Sequence, residues 1–102
     1  MGTLVKVAEK KELLPGSAIA VNFNGKPIAL FNLNGQYFAI DDTCTHAGGT
    51  LSEGAVEGTV VTCPRHGATF DITNGEVLSA PAREGVKSYN VRLDGEDIQI
   101  EE

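Results

Sequence analysis

The stretch CTHAGGTL at residues 44–51 decides the interpretation of this chain together with a second stretch, CPRHGATFD, at residues 63–71. The two stretches contain every cysteine and every histidine among the 102 residues, one of each per stretch. These four side chains are Cys44, His46, Cys63 and His66. Thiolates and imidazoles are common metal ligands. The pattern Cys-x-His followed by Cys-x-x-His therefore indicates one metal site assembled from two loops.

Other uses of these side chains explain less of the pattern. A disulfide is disfavoured in a cytosolic chain and gives no reason for a histidine in each loop. A nucleophilic pair of Cys44 with His46 is poorly placed, because residues two apart on an extended chain do not easily form a thiol–imidazole hydrogen bond. Structural zinc is the stronger competitor, although its sites usually pair Cys with Cys and His with His. A zinc-stapled binding module without a redox role stays open.

Around the two stretches, the chain shows a hairpin-rich pattern. Asn24-Gly25, Asn34-Gly35, Asn74-Gly75 and Asp94-Gly95 each lie between β-prone segments and supply the positive φ angles of tight turns. Strands are predicted at residues 4–9, 18–23, 27–33, 36–40, 59–62, 68–72, 88–93 and 97–100, with a helical turn within residues 9–14. Short, evenly spaced strands predict an all-β fold, a small antiparallel sandwich or barrel, in a single domain over residues 1–102.

Charge and hydropathy exclude two classes of partner. The chain has 14 acidic and 8 basic residues, a formal net charge of −6. Nucleic-acid binding needs clustered Lys and Arg, so it is not expected. No apolar stretch approaches the roughly 20 residues that span a bilayer, and the N-terminus does not read as a signal peptide. We expect a cytoplasmic protein that binds neither nucleic acid nor membrane.

The two stretches resemble the signature loops of Rieske-type [2Fe–2S] proteins, and the similarity extends through the hairpin pattern over nearly the whole chain. In a Rieske centre two Cys hold one iron and two His hold the other. The resemblance therefore implies one [2Fe–2S] cluster per chain, with Cys44 and Cys63 on one iron and His46 and His66 on the other. It also implies a cluster-binding subdomain with loops at about 41–52 and 62–72 and a covering loop at about 79–85.

The sequence departs from two branches of this family. Membrane-bound Rieske subunits carry two further loop cysteines, whereas Gly49 and Arg65 stand at those positions here. Rieske oxygenases need a second iron site with two His, and this chain has no histidine outside the two loops. The closest resemblance is to the small ferredoxins that pass electrons from a flavin-containing reductase to a terminal oxygenase such as an aromatic-ring dioxygenase. The alternative is the small subunit of an assimilatory nitrite reductase, which often lacks the cluster ligands.

The resemblance also implies how such a carrier works. It would not be an enzyme itself, and as a monomer it would dock both partners transiently at the His46/His66 end. High-potential relatives have hydroxyl side chains where Ala68 and Phe70 stand here. Because hydrogen bonds to the cluster sulfurs raise the potential, we expect a value between about −150 mV and roughly 0 mV.

Overall fold

A computed structural model describes the chain in four segments, at residues 4–43, 50–65, 67–80 and 84–101. The described residues form nine strands and two short 3₁₀ turns. The strands are β1 (Leu4–Glu9), β2 (Ala18–Phe23), β3 (Lys26–Leu33), β4 (Gln36–Asp41), β5 (Ala55–Glu57), β6 (Val60–Thr62), β7 (Thr69–Asp71), β8 (Ser88–Asp94) and β9 (Asp97–Glu101). The 3₁₀ turns are Lys10–Glu12 and Leu51–Glu53.

The strands pair into two antiparallel sheets. Six strands form a large sheet in the order β1-β9-β8-β4-β3-β2, and three form a small sheet in the order β5-β6-β7. The edge strands β1 and β2 contact each other, so the large sheet nearly closes into a barrel. This confirms the predicted all-β fold.

Two predicted turns have the expected geometry, and two differ. Asn24 and Asn34 adopt positive φ angles of 52° and 57°, each followed by a glycine, as the tight hairpin turn requires. Asp94, by contrast, pairs with Asp97 as the last residue of β8, so the turn residues there are 95 and 96. The turn at Asn74-Gly75 follows β7 but does not lead into a second full strand; Phe70 of β7 and Val77 form a single bridge across the turn. Strand β5 was not predicted, because three residues are too short for an alternating pattern to be recognised.

Strand β3 is buried on both faces and separates two hydrophobic cores. Its residues Ile28 and Leu30 face one core, and Ala29 and Phe31 face the other, as alternation along a strand requires. The inter-sheet core consists of Ala29, Phe31, Ile40, Leu51, Val61, Cys63, Ala68, Phe70, Ile72 and Val86. The barrel core consists of Ala8, Leu13, Phe23, Ile28, Leu30, Ala39, Ile98 and Ile100. Each fully buried Leu, Ile or Phe contributes about 1.5–3 kcal/mol to folding. Because β3 places such residues in both cores, it stabilises both layers of the fold.

Across the four described segments, no helix has the length and apolar character needed to cross a membrane.

Candidate metal centre

The chain is held closed on both sides of residues 44–49, the part of the first loop that carries Cys44 and His46. Thr43 and Thr50 form an antiparallel bridge. One residue further out, the Leu51 N–H donates to the Asp42 carbonyl oxygen at 2.7 Å. We call this paired segment the first neck. It fixes the two points between which the first ligand loop must run.

Asp42 is a buried carboxylate within the first neck. Its side chain is enclosed, with the residue only 4% exposed, and Oδ1 accepts the Ser52 N–H at 2.7 Å. Its own N–H donates to the Pro27 carbonyl oxygen at 3.1 Å on the neighbouring strand β3. A buried charge without partners is costly, whereas a charge-assisted hydrogen bond offsets much of that cost. Asp42 therefore fastens the first neck to the large sheet and to the 3₁₀ turn beyond it.

The second loop has an equivalent closure, which we call the second neck. The Cys63 N–H donates to the Ala68 carbonyl oxygen at 2.7 Å, and the Gly67 N–H donates back to the Cys63 carbonyl oxygen at 3.1 Å. Gly67 has a φ of +80°, a conformation that favours glycine. Pro64 and Arg65, between the two ends, are exposed. The loop thus projects outward from a tightly bonded base.

Cys63 is the predicted ligand that the structure describes. It follows the last residue of β6 and is 2% exposed, within the inter-sheet core. A thiol placed at a loop base and shielded from water suits an iron–sulfur ligand, since such clusters are held by Cys thiolates. The remaining predicted ligands lie outside the described residues; they are Cys44, His46 and His66.

The two necks belong to one structural unit. Leu51 of the first neck and Cys63 and Ala68 of the second pack in the same inter-sheet core. Between the loops, a Cβ added to Gly54 would overlap the Thr62 carbonyl oxygen, so this close approach of two backbones requires glycine. Both ligand loops therefore start from neighbouring points in the fold.

The segment predicted to cover the site is attached to β7. The Leu78 N–H donates to the Thr69 carbonyl oxygen at 2.8 Å, and the Thr69 and Ser79 hydroxyls lie 2.7 Å apart. At its far end, the Val86 N–H donates to the Gly75 carbonyl oxygen at 2.8 Å. Residues 81–83, including the proline of this segment, lie outside the described part. Both attachments are to the strand and turn that follow the second neck.

An aromatic hydroxyl lies beside the entrance to the first neck. The Tyr89 hydroxyl donates to Asp41 Oδ1 at 2.6 Å, and the Asp41 N–H donates to the Lys87 carbonyl oxygen at 2.9 Å. Burial of the ring and the adjacent Asp41 carboxylate together raise the pKa of Tyr89 well above its usual value. Tyr89 therefore stays protonated and ties β8 to the end of β4.

Sequence reasoning did not identify Asp42, Asp41 or Tyr89. An Asp two residues before a ligand cysteine is visible in the sequence, but its burial and its bond to Ser52 depend on the fold. In the described segments, no group of three or more His, Cys, Asp or Glu side chains could hold a metal.

Comparison with known proteins gives a consistent result. The profile of the Rieske [2Fe–2S] domain matches residues 3–90. The biphenyl dioxygenase ferredoxin subunit of Pseudomonas sp. (strain KKS102) is 37% identical over 100 residues, covering 97% of this chain and 92% of that protein. Among solved structures, the ferredoxin of carbazole 1,9a-dioxygenase from Nocardioides aromaticivorans IC177 aligns with a TM-score of 0.92 at 29% identity, covering 96% of both chains. A chain from the complex of reduced oxygenase and oxidized ferredoxin in carbazole 1,9a-dioxygenase aligns with a TM-score of 0.89 at 31% identity, covering 96% of this chain and 92% of that one.

Proposed function

This chain belongs to the Rieske [2Fe–2S] domain family, and we propose that it passes single electrons from a flavin-containing reductase to the terminal oxygenase of a multicomponent dioxygenase system. The observation that carries the proposal is the match, over nearly the full length of both chains, to a relative named as a dioxygenase ferredoxin subunit. Relatives of this kind are electron-carrying components, and the chain is an electron carrier of the same type rather than an enzyme. A nitrite reductase small subunit is less well supported, because such subunits often lack the four ligands present here.

The cofactor is a Rieske-type [2Fe–2S] cluster, which supplies one-electron transfer when it is bound. We propose that Cys44 and Cys63 ligate one iron and His46 and His66 the other. The described geometry supports this assignment, because the two necks pack side by side and Cys63 lies shielded at the base of the second loop. The ligand loops then correspond to residues of about 41–52 and 62–72, with a covering loop at about 79–85, all within one domain.

The environment of the second neck supports a low reduction potential. Ala68 and Phe70 are fully buried and apolar, so neither side chain donates a hydrogen bond to a cluster sulfur. Without such donors the potential falls in the lower part of the Rieske range, between about −150 mV and roughly 0 mV. Protein-film voltammetry near neutral pH measures it directly, and a value well above +100 mV would contradict this reasoning.

Docking of both partners is assigned to the His46/His66 end of a monomer acting in the cytoplasm. Exposed Pro64, Arg65 and Gly67 flank His66 in the sequence and offer a small contact surface with one positive charge. In the carbazole 1,9a-dioxygenase system, a ferredoxin has been seen in complex with its oxygenase. A small contact surface suits the short-lived complexes typical of electron transfer.

A direct experiment tests this function. The purified protein is expected to be red-brown, to contain two irons per chain and, after reduction, to give an electron paramagnetic resonance signal with an average g value below that of the free electron. Its visible absorption is expected to bleach under NADH with a catalytic amount of a dioxygenase-system reductase. A colourless protein containing one zinc would overturn both the cofactor and the function.

A further inference from the structure

The cations of the described segments differ in whether a carboxylate neutralises them. Lys6, Lys11 and Arg92 each lie within 4.0 Å of a carboxylate. The described cations that make no such ion pair with another described residue are Lys10, Lys26, Arg65 and Lys87. In a chain with nearly twice as many acidic as basic residues, unpaired cations are the less expected arrangement.

Two of these cations lie beside the first neck. The Asp41 N–H donates to the carbonyl oxygen of Lys87, and the Asp42 N–H donates to that of Pro27, the residue after Lys26. A cavity of about 250 Å³, lined by Lys26, Pro27, Asp41 and Thr43, extends from Lys26 to the neck. Lys10 lies at the opposite end of the sheet, where its N–H bonds to the Glu96 carbonyl oxygen in the β8–β9 turn. The unpaired charge is therefore not spread evenly over the surface.

Lys26 and Lys87 face one open cavity of about 370 Å³, which we call the Lys26–Lys87 cleft. Its lining residues are Phe23, Asn24, Lys26, Lys87, Ser88, Tyr89, Asn90 and Glu101. The Phe23 and Tyr89 rings meet edge to face with centroids 5.8 Å apart, and Lys87 Nζ lies 5.1 Å from the Tyr89 centroid. The cation–π contact holds the ammonium group of Lys87 over a rigid aromatic surface.

The carboxylates near the cleft are already engaged. Asp41 accepts the Tyr89 hydroxyl at 2.6 Å and the Lys87 N–H at 3.4 Å. Glu101 lies 3.6 Å from Arg92. Each of these acids has a partner other than a lysine ammonium group, so two exposed ammonium groups on a preformed surface remain available to a carboxylate from outside.

We infer that the Lys26–Lys87 cleft is a docking contact for an acidic segment of the reductase. The inference rests on the proposed function and adds the chemistry of the partner's surface. Charge complementarity selects the occupant, because two exposed ammonium groups, one of them held over the Tyr89 ring, attract Asp or Glu side chains. Continuity with the first neck gives the purpose, since a partner held in the cleft lies beside the residues from which the first loop starts. Charges at the rim of an interface chiefly set the rate of association and the orientation of the encounter.

The test compares two double variants with the same change in charge. K26Q/K87Q neutralises the cleft, and K10Q/K11Q neutralises two lysines at the opposite end of the sheet. Glutamine retains much of each side chain and adds no carboxylate beside Asp41. The probe is the reductase of the biphenyl dioxygenase system of Pseudomonas sp. (strain KKS102), which reduces each cluster-loaded variant anaerobically with NADH while the visible absorption is followed.

At low ionic strength, we expect kcat/KM for K26Q/K87Q to fall about 5- to 20-fold, with K10Q/K11Q within about twofold of wild type. At about 0.5 M salt, the difference between the two variants is expected to disappear, because screening then acts within a few ångströms. Visible spectra and unfolding temperatures check that the variants are folded and loaded. If the double variant is not folded or not loaded, the single variants K26Q and K87Q replace it, with K10Q as control.

The outcomes separate this inference from the function on which it rests. If wild type is reduced and the two double variants remain within twofold of each other, the docking contact is refuted while the function stands. The same holds if the loss in K26Q/K87Q persists unchanged at high salt. If loaded wild type is not reduced at all, the proposed function fails and the inference falls with it.

Discussion

Replacing Asp42 with alanine is expected to weaken the first neck and the retention of the cluster. The change removes the acceptor of the part-buried Ser52 N–H at 2.7 Å and leaves an empty volume where the buried Asp42 side chain was. A lost hydrogen bond to a charged group costs about 1.5–3 kcal/mol. For a domain of this size, about 2 kcal/mol corresponds to a lowering of Tm by roughly 8–16 °C. Iron content per chain is expected to fall in parallel, because the loop carrying two of the predicted ligands starts at this neck.

Two further variants make this prediction specific. Asp42→Asn keeps an oxygen acceptor and nearly the same volume. It is therefore expected to lower the free energy of unfolding by less than half as much as Asp42→Ala does. Asp71→Ala is the control, because Asp71 Oδ1 also accepts a backbone N–H, from Thr73 at 2.8 Å, together with the Thr73 hydroxyl at 2.6 Å, but in an exposed turn. Guanidinium unfolding of the loaded proteins, with iron analysis of each preparation, measures both effects. An Asp42→Ala protein as stable and as iron-rich as Asp71→Ala would refute the role assigned to the buried carboxylate.

Three other changes test separate parts of the site. Cys63→Ser is expected to abolish cluster assembly, seen as loss of visible absorption and iron; a variant with wild-type iron content and spectrum would contradict the ligand assignment. Gly54→Ala places a methyl group against the Thr62 carbonyl oxygen and is expected to cost about 1–3 kcal/mol, measured by denaturant unfolding; no loss would show that the backbones separate freely. Tyr89 has a pKa raised by burial and by the Asp41 carboxylate, so its stabilising effect is complete below about pH 10, the pKa of an unfolded tyrosine, and is lost as the pH rises above it. Tyr89→Phe is therefore expected to flatten the decline of stability between about pH 10 and 12, and an unchanged decline would argue against this linkage.

The sequence predicts the local features of the fold better than the contacts between distant segments. Asn24-Gly25 and Asn34-Gly35 supply their own turn geometry, so the hairpins around them could be read directly. At Asp94-Gly95 the same signal gave the hairpin but not its register, because the cross-strand pairing of Asp94 with Asp97 decides which residues form the turn. The four candidate ligands could be proposed because the chemistry of thiols and imidazoles is visible in residue type and spacing.

The burial of Asp42 and the meeting of Lys26 with Lys87 could not be predicted in this way. In the sequence, Asp42 looks like an ordinary acidic residue. It becomes buried only when β3 and the 3₁₀ turn pack around it. Lys26 and Lys87 are brought together by the pairing of β4 with both β3 and β8, a contact between segments far apart in the chain. Neither property has a local pattern, since both arise only when the large sheet has formed.

Asp41, the last residue of β4, and Asp42, which follows it, serve different purposes, because their side chains point to opposite sides of the chain. Asp42 points inward and holds the first neck, whereas Asp41 points toward Tyr89 and the Lys26–Lys87 cleft. Changes on the inner side are therefore expected to alter cluster retention without changing the salt dependence of reduction. Changes on the outer side are expected to alter association without changing iron content. Separate outcomes for these two sets of variants are what this geometry requires, since the Asp42 and Asp41 side chains bond to different parts of the fold.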